Sequence, residues 1–383
     1  MLFDCPPQDF FCKRIVANSA HHNMFDLIIV TYNAKDKLRL CLSSVERHTN
    51  GIQYMLTVVN NNSSDGTLQF LKKYQQQHKI KVIHTDKNLG FCGGANLALK
   101  NTSNKFIVLL DDDVEVTQGW LKELYKQIKN KPKIGIVGCK IFLPSKRIFS
   151  ADYRVRPIYL VGCGEIDKGQ RDYIKECDAL VGPCWLMRRE LIKKVGYFDE
   201  RFFPSQHEDI DYCLRTRLAG YKIIYNGRVK ISHHHLFRDG QQFRENWRKF
   251  LKKWKALLSK FPLKDSHPVD RYIAKGVGYI KKKKFRQALA ELKNVESIDK
   301  RFSEPLYKGM TLDGLGKYPE AIQQFKKVLN LNPSNFSIFN FSAHHELALL
   351  YKKLGLAKQA KKEFIKTLDF IPFNKNLLSL NSS

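Results

Sequence analysis

The chain has 383 residues, 43% of them hydrophobic and 27% charged, a globular balance that excludes a disordered chain and gives length for about two domains. Lys and Arg total 66 against 37 Asp and Glu, a formal net charge of +29, so the surface attracts polyanions without choosing among nucleic acid, anionic headgroups, a diphosphate-linked acceptor or a nucleotide donor. The nine cysteines include no Cys-x-x-Cys pair, and no apolar run approaches the ~18 residues of a membrane span, so exported and spanning classes are set aside and a cytoplasmic protein is expected.

Residues 1–23 show no period and end in His21-His22-Asn23, an irregular extension. From Phe25, short β-rich runs alternate with longer amphipathic segments, the pattern of an α/β domain with a sheet built largely from parallel strands. Leu27 to Val30 is the first strand, followed by a helix through Leu38, Leu42 and Val45. Met55 to Val59 is the second, with a helix near Leu68 and Leu71, and Lys81 to Ile83 is the third. Asp65-Gly66-Thr67 reads as a turn and helix cap rather than a ligand contact. Gly90 to Asn96 opens another helix; Asn88 and the glycines at 90, 93 and 94 either pack closely or border a donor, and Asn88 is taken as a donor contact.

Phe106 to Leu110 is a buried strand that runs straight into Asp111-Asp112-Asp113. Three like charges at the end of an apolar strand stay ionised at modest cost only beside a positive partner, and hard carboxylate oxygens suit Mg²⁺ or Mn²⁺ bridging to phosphate. In open α/β sheets, ligands bind at such carboxyl ends. His207-Glu208-Asp209-Ile210-Asp211 is either an acidic helix start or a second catalytic cluster. His233-His234-His235 follows a strand-like Arg228 to Ile231 and is either a polar edge or a ligand source. Trp185 either stacks on a ligand at the acceptor side or sits in the core.

From Arg244 to Phe261, Trp247, Phe250, Leu251, Trp254, Leu257, Leu258 and Phe261 fall on one helical face, with lysines opposite. Such a helix either packs on the catalytic domain or lies in an anionic membrane interface, which adds peripheral contact at the inner face of the membrane to the expectations. Strand signals stop near Phe261-Pro262. The division is 1–23 as extension, 24–262 as the α/β domain and 263–383 as a helical domain. In the last, Gly276, Tyr279, Ala288 and Leu292 recur as Gly309, Leu312, Ala321 and Phe325, then as Ala348, Tyr351, Ala360 and Phe364. With Gly316 to Ala321 and Pro333 closing a unit, this period near ~34 resembles the tetratricopeptide repeat in about three units.

Taken together, Ile28 to Asn33, Val58 to Thr67, Asn88 to Phe91, Leu110 to Val116, Val195 to Glu200 and Glu208 to Asp211 resemble, in order and spacing, the family 2 glycosyltransferases of GT-A fold, a Rossmann-like mixed sheet that binds nucleotide-diphospho-sugars. The resemblance implies an inverting, metal-dependent transfer from a nucleotide sugar to a glycan, lipid-linked or protein hydroxyl. Thr31, Tyr32 and Asn60 would lie near the base. Asn60 stands where the family usually has Asp, which loosens the preference for a UDP-sugar over a dTDP- or GDP-sugar. Asp111 would serve ribose and metal, Asp113 the metal, and Asp112 the donor side beside them. Asp209 would be the general base, its basicity raised by partial desolvation beside Glu208 and Asp211 on the acceptor side. His233 would be a further ligand to Mn²⁺ or Mg²⁺, His234 taking that role if the alignment slips by one residue.

The repeats would recruit the acceptor or a protein partner. No segment reads as an RNA-recognition strand or zinc finger, so nucleic acid is not expected as a partner. The reading from another class is a catalytically inactive basic scaffold that binds protein partners, membrane or RNA through its repeats. Such a scaffold needs neither Asp113 nor Asp209.

Overall fold

The structure is a computed structural model that describes residues 25–155, 158–163, 165–234, 240–258, 261, 268–298, 304–331 and 338–368. The extension at 1–23, His235, Pro262 and Pro333 lie outside the described residues.

The first half alternates strand and helix: β1 (Phe25–Thr31), α1 (Lys35–His48), β2 (Tyr54–Asn60), α2 (Thr67–Gln77), β3 (Ile80–His84), α3 (Gly90–Lys100) and β4 (Phe106–Asp111). β1 lies parallel between β2 and β4, with β3 outside β2. Both faces are covered, which is why these strands read as continuous apolar runs. Leu27 and Ile29 point into one core cluster with Leu38, Leu42 and Val45 of α1, while Ile28 points into the other with Ala95 and Ala98 of α3. Asp65 accepts from the Thr67 N–H at 3.1 Å ahead of α2, and Gly66 takes the left-handed φ of 86° that the turn requires.

β5 (Val114–Val116), α4 (Trp120–Ile128), β6 (Ile134–Phe142), β7 (Ile148–Ser150), β8 (Asp152–Val155), β9 (Ile158–Val161), β10 (Ile174–Glu176), β11 (Cys184–Arg188), α5 (Glu190–Val195), α6 (Glu208–Leu218) and β12 (Lys222–His233) follow. The main sheet runs β10-β12-β6-β11-β4-β1-β2-β3, with β5 on β12 and β7 on β6. β11 is inserted antiparallel between β4 and β6, which makes the sheet mixed. A buried pentapeptide such as Cys184 to Arg188 has no alternation to announce its direction.

α7 (Gly240–Leu258) precedes three helical hairpins: α8 (Pro268–Lys281) with α9 (Phe285–Ile298), α10 (Pro305–Gly314) with α11 (Tyr318–Leu331), and α12 (Ile338–Lys353) with α13 (Ala357–Leu368). The recurring small residue marks close helix approach. A Cβ on Gly276 would lie 2.8 Å from Leu292, and one on Gly309 would lie 2.5 Å from the Phe325 ring. The apolar stripe of α7 packs inward: Phe250, Trp254 and Leu258 share a cluster with Trp185 and Tyr212 of the α/β fold and with Val269, Ile273 and Val277 of α8. Much of that stripe is therefore taken up by packing, with Trp247, Leu251 and Leu257 partly buried, whereas Arg244, Arg248, Lys252 and Lys255 face solvent. Helical periodicity specifies an apolar face but not what covers it. Among the described residues, no helix is long and apolar enough to cross a membrane.

Candidate active site

β4 delivers Asp111 to the carboxyl edge of the sheet, and the chain turns through Asp112 and Asp113 into β5. β5 pairs antiparallel with the end of β12, placing His233 opposite Val114. That register brings His233 Nε2 to 3.0 Å from Asp113 Oδ1 and 3.5 Å from Asp111 Oδ2. The three side chains offer ligand atoms within 4.8 Å of one another. Burial pushes the Asp111 carboxyl up to about 7; His233 pulls against it, while Asp113, Asp112 and Asp209 add to it. Burial opposes charge on His233, yet Asp113 and Asp111 hold its pKa above the usual value. Two carboxylates and an imidazole, with one carboxyl held above its usual range by burial and its acidic neighbours, are a donor set that a hard divalent cation fits.

Lys37 of α1, unremarkable in the sequence, reaches Asp113 Oδ2 at 3.3 Å and donates to the His234 carbonyl at 2.9 Å. His234 turns away from the cluster: its backbone N–H donates to the Asp113 carbonyl at 2.9 Å and its Nε2 lies 2.6 Å from Glu115 Oε1.

The second half of the site comes from the start of α6. Asp209 Oδ2 accepts from the Gly182 N–H at 2.9 Å and Oδ1 from the Ile210 N–H at 2.7 Å. A side chain at 182 would crowd it, since a Cβ there would stand 3.3 Å from Asp209 Cβ. The next residue, Pro183, accepts from the Asp111 N–H at 3.0 Å. One dipeptide thus ties the Asp209 carboxylate to the Asp111 backbone. Burial, with Asp211 adding to it, pushes Asp209 up to about 6 against the N–H groups of Ile210 and Gly182. Burial, then Asp209, drives Glu208 well above the usual range. Gln206 and His207 precede α6 with φ of 87° and 71°, a left-handed pair of non-glycine residues of the kind that concentrates at functional sites.

A cavity of about 870 Å³ joins the two halves. Of the residues expected at the site, Tyr32, Asn88, Asp111, Asp112, Asp113, Glu208, Asp209 and His233 line it. Four others do not, each for a packing reason. Thr31 is buried at the end of β1. Asn60 is fully buried and spends its amide on the Ser63 N–H at 3.3 Å and His84 Nδ1 at 3.1 Å, fastening the ends of β2 and β3. Trp185 sits in the core against Phe198 and Tyr212 and donates to the Val181 carbonyl at 2.8 Å, so it cannot stack on a sugar there. Asp211 is buried and holds Trp254 Nε1 at 2.8 Å, Lys253 at 2.7 Å and Arg215 at 2.8 Å. Lining residues given no role from the sequence include Asn61, which accepts from the Leu89 N–H at 2.9 Å, together with Phe243 and Tyr307.

A mixed sheet with acidic residues at the carboxyl edge of β4, a second acidic cluster at the start of α6 and a cavity between them defines a GT-A domain. The solved structure of GalNAc-T7 with UDP, GalNAc and Mn²⁺ shares this fold at a TM-score of 0.51 and 14% identity, over 62% of this chain and 50% of that one. The mannosyltransferase PcManGT from Pyrobaculum calidifontis, solved with GDP-Man and Mn²⁺, does so at a TM-score of 0.50 and 14% identity, over 91% and 88%. Residues 26–196 match the model of glycosyl transferase family 2 and residues 308–335 that of a tetratricopeptide repeat. The chain therefore carries a family 2 glycosyltransferase domain followed by helical repeats. The O-antigen biosynthesis protein RfbC of Myxococcus xanthus is 26% identical over 219 residues, which is 54% of this chain and 17% of that protein. The chain thus spans under a fifth of the length of that relative.

Proposed function

We propose that the chain is an inverting, metal-dependent glycosyltransferase that moves a sugar from a nucleotide-sugar donor to a hydroxyl acceptor. One observation carries the reading: Asp209 and the Asp111, Asp113 and His233 cluster face one cavity and are joined through Gly182-Pro183. Asp111, Asp113 and His233 are the residues that would hold Mn²⁺ or Mg²⁺. When bound, the cation neutralises charge on the departing diphosphate. The printed titles of the two fold neighbours, one with UDP and one with GDP-Man and both with Mn²⁺, support a nucleotide sugar. A UDP-sugar is the first candidate, ahead of dTDP- and GDP-sugars.

Asp209 accepts the proton of the acceptor hydroxyl as that oxygen attacks the anomeric carbon opposite the diphosphate. The new carbon–oxygen bond forms as the one to the diphosphate breaks, and a single displacement inverts the centre. Asn88 and Tyr32 border the donor side, and Glu208 the acceptor side. We assign transfer to residues 24–262 and acceptor selection to the repeats from 263 onward.

The test is binding and hydrolysis of UDP-, GDP- and dTDP-sugars with and without Mn²⁺. Metal-enhanced binding of at least one donor is expected. Its absence for all of them would leave the inactive scaffold as the better reading.

A further inference from the structure

The cavity is acidic in a strongly basic protein. Among the described residues that line it there is no lysine or arginine, although the chain carries 66, while Asp111, Asp112, Asp113, Glu208, Asp209 and Glu346 all reach it. The cation cluster accounts for the first three, on the donor side. Away from it the wall is aromatic and carries single acids, and part of that wall comes from the repeats: Leu306, Tyr307 and Met310 of α10, with Ser342 and Glu346 of α12. These helices are not loosely tethered. Tyr307 packs on the cluster that contains Trp185, Tyr212 and Trp254, and α8 contributes Val269, Ile273 and Val277 to the same cluster.

We infer that α10 and α12 form the acceptor wall of the transfer site, and that this wall selects an uncharged, hydroxyl-rich acceptor, a sugar, over one bearing phosphate. The inference rests on the glycosyl-transfer reading above. Two kinds of observation converge on it. Rings of Tyr153, Phe243, Trp247 and Tyr307 border the space, and aromatic faces pack against the C–H faces of sugars. His207 Nε2 and Glu208 Oε2 are buried with no hydrogen-bond partner, and both residues line the cavity; buried polar atoms are normally satisfied, and acceptor hydroxyls would satisfy them. A phosphate ester on this side would meet the Asp209 and Glu346 carboxylates, with no lysine or arginine among the described lining residues. Like charges brought together at a binding site cut affinity sharply.

The experiment uses the full chain with Mn²⁺ and whichever nucleotide sugar it binds. Donor consumption is measured alone, with uncharged methyl glycosides, and with the same glycosides carrying a 6-phosphate. The expected result is that uncharged glycosides accelerate turnover and that their phosphate esters are poorer in kcat/KM by about tenfold or more. Glu346→Lys should close most of that gap. Met310→Trp and, independently, Ser342→Trp should raise the glycoside KM by about fivefold or more while the donor KM stays unchanged. Phosphate esters that match or beat the uncharged glycosides, glycosides of both kinds that leave turnover unmoved, or folded wall variants with unaltered acceptor KM would each overturn the inference. Failure of the transferase reading shows separately, as loss of metal-enhanced donor binding in the unaltered chain.

Discussion

Asp209 provides the sharpest test because one carboxyl sets an activity limb and a stability effect of opposite sign. Its pKa is pushed up from 3.8 to about 6, chiefly by burial, which corresponds to at most about 3 kcal/mol against the ionised form. As general base it must be ionised. The ionised fraction falls from roughly 90% at pH 7 to roughly 10% at pH 5, so transfer should fall about ninefold over that span. The assay is kcat for sugar transfer between pH 5 and 8 at saturating donor and Mn²⁺, conditions that hold the Asp111 cluster in its charged form.

The native state binds this proton more tightly than the unfolded chain, so the group's contribution is favourable below pH 4 and is lost as pH rises through about 6. At pH 8 the buried charge destabilises the fold. Asp209→Asn keeps the shape and one acceptor for the Gly182 N–H, so it should hold or raise the melting temperature of the metal-free chain at pH 8. Transfer should meanwhile drop by about 10²–10⁴-fold with donor binding retained. A flat rate between pH 5 and 7, or normal turnover in Asp209→Asn, would refute the assignment.

Asp113→Ala and His233→Ala should each weaken Mn²⁺ binding by about tenfold or more in calorimetry, whereas His234→Ala, whose ring faces Glu115, should change it little. Trp254→Ala should lower stability by about 3–5 kcal/mol in denaturant melts, because it empties a fully buried site and removes one of the donors to Asp211 Oδ1. Gly309→Ala should destabilise by about 1–3 kcal/mol, since its Cβ would sit 2.5 Å from Phe325. Gly278→Ala, with nothing within 4 Å of the added carbon, should be neutral or mildly stabilising; equal effects from the two would show that ring contact is not what the repeat glycine serves.

Much of the α/β half is legible in the sequence because its signals are local. Apolar runs covered on both faces, the break from Leu110 into three aspartates, and the acids opening α6 each declare themselves within a few residues. The same holds for the repeats, where a small residue on one helix and a Leu or Phe on the next recur at a fixed distance. Trp185, Asn60, Thr31 and Asp211 are different: chemistry suited them to a sugar, a base or an acceptor, yet core packing claims all four. For Trp185 and Asp211 that outcome depends on the antiparallel insertion of β11 and on α7 folding back across the core, and for Thr31 and Asn60 on the pairing of β1, β2 and β3; none of these is encoded in a window of neighbours.

Residue order alone places Asp111 to Asp113 at a strand end and Asp209 in an acidic helix start, and the family resemblance makes them the proposed cation ligands and base. That His233 rather than His234 joins Asp111 and Asp113 follows from the pairing of β5 with β12, a long-range contact. The same kind of contact sets Lys37 against Asp113 and brings α10 and α12, far beyond Asp209 in the chain, to the wall of its cavity. Contacts of that separation are set by how packed surfaces meet, and no local pattern along the chain records them.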